Sequence, residues 1–126
     1  MAKRIAFISR SHLSQNLLGL VVATLPQKVE YQSFDDLSEA QNQNHGKSFT
    51  LVMIDFNAVS ASPQTDTQVF LSQRGFRNAK KILLHTRDSV INPQDWTPLG
   101  FNGFLTKPFL PQEFLTLVTK RWREKS

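Results

Sequence analysis

The chain predicts an α/β fold, a parallel sheet covered by helices on both faces, on three observations. Short unbroken apolar runs recur, at Ile5 to Ile8, Leu51 to Ile54 and Ile82 to Leu84, and uninterrupted runs of this length read as strands buried on both faces. Segments with helical spacing alternate with them, and strand–helix–strand alternation forces right-handed crossovers and parallel pairing. The length of 126 residues, 40% hydrophobic with ten Phe, is enough for one domain over residues 1–126 with a substantial core.

Taken in order, Lys3-Arg4 leads into a strand at Ile5 to Ile8, closed by Ser9-Arg10-Ser11. Ser11 is placed to cap a helix carrying Leu13, Leu17, Leu18, Leu20, Val21 and Val22 as its apolar face, stopped by Pro26. Val29 to Phe34 alternates weakly and suits a strand nearer an edge. Asp35-Asp36 or Ser38 begins a polar helix ending near His45-Gly46, where glycine fits a left-handed terminus. The central strand runs from Leu51 to Asp55. A loop of small and polar residues from Ala58, containing Pro63, leads to a helix over about 65–74 with Val69, Phe70 and Phe76 facing inward. Lys81 to Thr86 is a further core strand. Pro93 and Pro98 leave room for one short or distorted helix before a last strand at Phe101 to Thr106. From Pro111, well suited to a first helical turn, Phe114, Leu115, Leu117, Val118 and Trp122 mark the buried side of a terminal helix.

Composition excludes several functions. Without cysteine there is no disulfide, thiol catalysis or thiolate metal site, which accords with a cytoplasmic protein. No apolar run is long enough to span a bilayer, and the N-terminus enters a strand too early for a signal peptide. His12, His45 and His85 share no ligand spacing, so no metal site is expected. Ser9 and Ser11 near His12 lack the Gly-x-Ser-x-Gly turn and an orienting acid that a hydrolase would need. The net charge of +5 favours anionic partners, yet the cations are scattered except in the run from Lys120 to Lys125. That run reads as a solvated helix end whose cations suit the C-terminal dipole, so nucleic-acid binding, with Trp122 stacking on a base, is a secondary reading.

Polar residues close the apolar strands: Ser9-Arg10, Asp55, His85-Thr86 and Thr106-Lys107-Pro108. If the sheet is ordered 2-1-3-4-5, these meet at the crevice where ligands bind in open α/β sheets. Asp55 there is either a reactive carboxylate or a cap for the following loop. An acid, a hydroxyl and an ammonium in one crevice could handle a phosphoryl group, the carboxylate accepting it and the others holding its oxygens.

Along nearly its whole length the chain resembles the response-regulator receiver domains, the CheY-like branch of the flavodoxin-like three-layer α/β/α folds. Gly103-Phe104-Leu105-Thr106-Lys107-Pro108-Phe109 is close to that family's Tyr/Phe-Leu-x-Lys-Pro-Phe signature. The resemblance implies five parallel strands in the order 2-1-3-4-5. It makes Asp55 the phosphoacceptor position, with Thr86, Lys107 and Pro108 in the phosphoryl pocket, Pro108 following a cis bond, and Phe104 the switch aromatic or a core residue. It implies no enzyme with turnover of its own, but a two-component signalling module acting through protein contacts. Those contacts would use the face of helix 4, strand 5 and helix 5, with Trp96, Phe109 and Trp122 as interface candidates, Trp96 exposed by its altered fourth helix, and a homodimer possible.

The departures from the family matter equally. The acidic pair that holds Mg²⁺ in receivers is replaced here by Ser9 and Arg10, and a hydroxyl with a guanidinium does not substitute for two carboxylates. After Asp55 the chain shows Ala58-Val59 and Pro63 where the family carries Met-Pro and a later Gly. Arg87 follows Thr86 where the family prefers a small residue, and could block the pocket. The expectation is therefore a degenerate receiver without Mg²⁺ or other cofactor, in which Arg10, Arg87 or Lys107 places a fixed cation beside Asp55. The alternative is a competent phosphoacceptor modified at Asp55.

Overall fold

The computed structural model describes residues 3–25, 28–43, 46–58, 63–87 and 93–123; the side chains at 63–66, 93 and 121–123 are outside the description. In chain order the elements are β1 (Lys3–Ile8), α1 (His12–Val22), β2 (Val29–Phe34), α2 (Leu37–Gln43), β3 (Leu51–Asp55), a 3-10 turn (Phe56–Ala58), α3 (Pro63–Leu71), β4 (Lys80–Thr86), α4 (Pro93–Trp96) running into a second 3-10 turn (Thr97–Leu99), β5 (Phe101–Lys107) and α5 (Pro111–Arg123). The five strands form one parallel sheet in the order β2-β1-β3-β4-β5, as expected. Register brings Ile8 beside Ile54, Asp55 beside Leu84, and Thr86 beside Lys107. The polar residues that close β1, β3, β4 and β5 therefore share one edge of the molecule.

Because side chains alternate across a strand, each central strand feeds two separate cores. Ala6, Ile8, Val52, Ile54 and Leu83 face a layer rich in rings: Phe34, Phe49, Phe70, Phe76, Trp96 and Phe101. Phe49 stacks on Phe76 with centroids 5.3 Å apart, Phe70 lies 4.3 Å from Phe76, and Trp96 meets Phe101 edge-on at 5.6 Å. Ile5, Phe7, Leu51, Met53, Ile82, Leu84 and Leu105 face the opposite layer, closed by Leu18 and Val22 of α1 and by Phe114 and Val118 of α5. Full burial on both faces explains why these strands read as unbroken apolar runs.

The caps follow local chemistry. The Ser11 side chain accepts the Ser14 N–H at 3.1 Å and starts α1, and Asp36 accepts the Glu39 N–H at 2.8 Å to start α2. Gly46 is left-handed (φ +75°) beyond α2; His45 before it, and Pro26 after α1, lie outside the described residues. Gly100 (φ +100°) ends the second 3-10 turn and turns the chain into β5. A β-carbon at Gly100 would approach the Lys81 stem to 3.3 Å. Lys81 is buried, its ammonium donating to the carbonyls of Ala79 (2.7 Å) and Arg77 (3.2 Å), and burial holds its pKa below the ordinary lysine value.

Four expectations need correction. Of the α1 apolar residues, Leu18 and Val22 are buried, but Leu13, Leu17 and Leu20 are 69%, 53% and 68% exposed. At about 100° per residue these fall into two stripes roughly 150° apart, so only one can face the sheet. The third helix begins at Pro63 and ends at Leu71, earlier than expected, because proline is accommodated in a first turn; Val69 on it faces outward while Phe70 and Phe76 are buried. Strands β4 and β5 each run one residue beyond the expected limits, to Lys80 and Lys107. Trp96, expected on the surface, is 2% exposed: the short α4 turns its ring inward between Phe56 (6.0 Å) and Phe101.

Candidate functional site

Asp55 ends β3 with its side chain inside the crevice, 1% exposed. Its Oδ2 accepts from the Lys107 ammonium at 2.6 Å and from the Ser9 hydroxyl at 3.0 Å; its Oδ1 accepts from the Asn57 backbone N–H at 3.3 Å. A buried carboxylate needs both a counter-charge and donors for its lone pairs, and the ends of β5 and β1 supply them. Ser9 is itself fully buried and accepts the Ser11 N–H at 3.1 Å, so its hydroxyl is oriented from both sides. The Lys107–Pro108 bond is cis, as the resemblance implied. Asp55 is thus a loop anchor, through Asn57, and an ion-pair partner at once.

The three cations proposed for Asp55 separate cleanly. Lys107 makes the contact. Arg10 instead donates its backbone N–H to Asn57 Oδ1 at 3.0 Å, while its exposed side chain lines a shallow pocket with Asp36, Ser38 and Gln41. Arg87 is exposed in the turn after β4 and, among the described residues, forms no ion pair with Asp55. Thr86 is exposed beside Lys107, and the two line one end of an apolar groove between α1 and the Pro108–Pro111 segment. Phe104 is half-buried against the ring-rich layer. Phe109 packs toward Phe114, centroids 6.4 Å apart, and lines the α1 groove, so it belongs to a different face from the one expected of it. Val59 and the Trp122 side chain lie outside the described residues.

Two contributors were not singled out from the sequence. Gln15 of α1 donates through its amide nitrogen to the carbonyls of Ser9 (2.7 Å) and Phe34 (3.2 Å) and to Asp35 Oδ1 (3.0 Å), tying the ends of β1 and β2 to the helix. Glutamine in a helix carries no signal that would mark it for this. Asn57 clamps the β1 end as described; its signal, an amide two residues after a strand-end acid, is a common loop motif. Asp35 also meets His12 at 2.9 Å, and its carboxyl is held below the ordinary value by the Gln15 hydrogen bond first and by His12 second.

The side chains around Asp55 supply one carboxylate, already paired to an ammonium, and one hydroxyl; among the described residues no group of three or more His, Asp or Glu converges. Also among the described residues, no helix is long and apolar enough to cross a membrane.

No protein-family model matches the chain, and no curated protein does. Solved structures do. A putative response regulator from Chloroflexus aurantiacus superposes with TM-score 0.81 at 16% identity, over 98% of this chain and 100% of that one. A CheY-like receiver domain protein from Methanospirillum hungatei gives 0.77 at 16% identity, covering 96% and 94%. The chemotaxis response regulator CheY4 of Vibrio cholerae gives 0.76 at 17% identity, covering 96% and 99%. With the strand order and crevice described above, the chain has the receiver-domain fold of two-component response regulators.

Proposed function

We propose that the chain is a cytoplasmic, receiver-like signalling module of two-component type that is not charged by Mg²⁺-dependent phosphorylation and works through protein contacts, without turnover of its own. One observation carries this reading: the end of β1 brings Asp55 a hydroxyl, Ser9 at 3.0 Å, with Arg10 after it, where a metal-assisted phosphoacceptor needs carboxylates around a cation. Magnesium would have to compete with the Lys107 ammonium for a lone carboxylate. Arg10, whose exposed side chain lines the neighbouring pocket with Asp36, offers magnesium no oxygen.

The contact surface we assign is the one between α4, β5 and α5. Phe104, Leu110, Leu117 and Lys120 help line a shallow depression there, with Leu110 well exposed. Trp96, being buried, is no part of it. A protein partner fits this mixed surface better than nucleic acid does, because Glu113 as well as Lys120, about two turns apart on α5, lines the depression.

The test is phosphoprotein-retarding electrophoresis after acetyl phosphate with Mg²⁺, run beside Asp55→Ala. No retarded band is expected. A band that requires both Mg²⁺ and Asp55 would overturn the reading in favour of a competent phosphoacceptor. A second arm restores the missing charges: Ser9→Asp with Arg10→Asp should lower stability in chelator, through like-charge repulsion at Asp55, and regain it with millimolar Mg²⁺.

A further inference from the structure

We infer that the groove between α1 and the Pro108–Pro111 segment is a binding site for a small amphipathic anion, a straight-chain carboxylate whose head meets Lys107 and whose apolar tail lies along α1. This goes beyond the reading above and does not rest on it. The site is tested without Mg²⁺ or a phosphoryl donor, so either reading can fail while the other holds.

The groove holds about 560 Å³, within the range of small-molecule sites. Its floor reaches Phe7 of β1 and Leu84 of β4, each 1% exposed, and its walls are Leu17, Leu20 and Val21 of α1 with Phe109 and Pro111. Leu17 and Leu20 are each more than half exposed, so a tail laid against them takes from water an apolar surface that the fold leaves uncovered. Leu13, just as exposed on the same helix, does not line the groove.

Charge at one end selects the head. Of the described residues that line the groove, Lys107 alone is charged. With Thr86 and Ser14 it stands where β4 and β5 end and α1 begins, while the rest of that lining is apolar. An ammonium offers donors only, so the head that meets it must accept, and a carboxylate accepts most strongly. Lys107 gives an N–H to Asp55 at 2.6 Å, and an ammonium carries more than one. Asp55 itself is 1% exposed and does not line the groove, so an arriving anion meets the cation of the pair first. A cationic head would find no acidic side chain in the described lining, on a chain whose net charge of +5 already repels it.

Titrating decanoate into isotope-labelled protein, up to about 5 mM, tests this by amide NMR shifts. Saturable shifts are expected at Leu17, Leu20, Thr86, Lys107 and Phe109, with a dissociation constant on the order of 0.1 to 1 mM. Acetate, an anion without the tail, should not saturate over the same range. Decyltrimethylammonium, the tail with the opposite head, should bind at least about tenfold more weakly than decanoate. Comparing heads reads the part played by Lys107 without replacing it, which would break its pair with Asp55. Leu17→Gln combined with Leu20→Gln should weaken decanoate binding at least about tenfold, while Leu13→Gln should leave it within about twofold. All three positions are exposed, and circular dichroism checks that each variant folds. Equal affinity for the two heads, equal losses from the Leu13 and the Leu17/Leu20 variants, or shifts scattered away from the groove overturns the inference. So do shifts at Leu17 and Leu20 that follow protein concentration alone, which would give this face to a second copy of the chain.

Discussion

At the level of single residues, the buried Asp55–Lys107 pair makes an asymmetric prediction. Lys107→Met leaves an uncompensated carboxylate inside the protein and should cost roughly 3 kcal/mol in chemical denaturation. Asp55→Asn should cost clearly less, because Lys107 is 21% exposed and can turn its ammonium to water. The double variant should recover much of the Lys107→Met loss; equal costs for both single changes would contradict this account. Asp35 gives a pH prediction. Its folded pKa is depressed, so its contribution is present above the unfolded carboxylate value and is lost as pH falls through the folded one. In Gln15→Ala the Asp35 titration, followed by carboxyl NMR, should move up toward the ordinary value, since Gln15 is the first cause of the depression. That a cation would meet Asp55 was legible in the sequence because strand-end residues of a doubly wound sheet converge. Which cation would reach Asp55 was not, since Arg10, Arg87 and Lys107 differ only in where short turns aim them.

At the level of elements, α1 and α4 show how a helix can be recognised while its inward side is misjudged. Apolar residues at helical spacing identified α1, but they occupy two stripes, and only the sheet decides that Leu18 and Val22 go in. In α4 the two prolines shortened the helix as expected. One short turn, though, has no fixed face, and packing on Phe56 and Phe101 carried Trp96 inward. Trp96→Ala should therefore cost about 3–5 kcal/mol of stability by opening a cavity, with binding unaffected in whatever fraction stays folded. A stable Trp96→Ala protein that had lost a partner would reverse that assignment. Gln15→Ala should cost about 1–2 kcal/mol, since it strips donors from carbonyls at the ends of two strands.

At the level of the whole molecule, β1, β3 and β4 belong to both cores at once, one rich in rings and the other mainly aliphatic. Neither layer can melt without exposing the back of the other. Trp96 fluorescence, in a Trp122→Phe background, and far-ultraviolet dichroism should report one coincident transition; separated midpoints would mean the layers unfold apart. The strand order was legible from the alternation of elements and the signature around Lys107, while the division of aromatic from aliphatic residues follows from which side each crossover takes. The turn at Gly100 carries a last consequence. It lies on the surface, where substitutions are ordinarily harmless, yet its backbone conformation disfavours every chiral residue and its vacant side leans on Lys81. In a saturation-mutagenesis screen for folded protein, that solvent-facing position should be as intolerant as the interior, with survivors confined to glycine and, far behind it, asparagine.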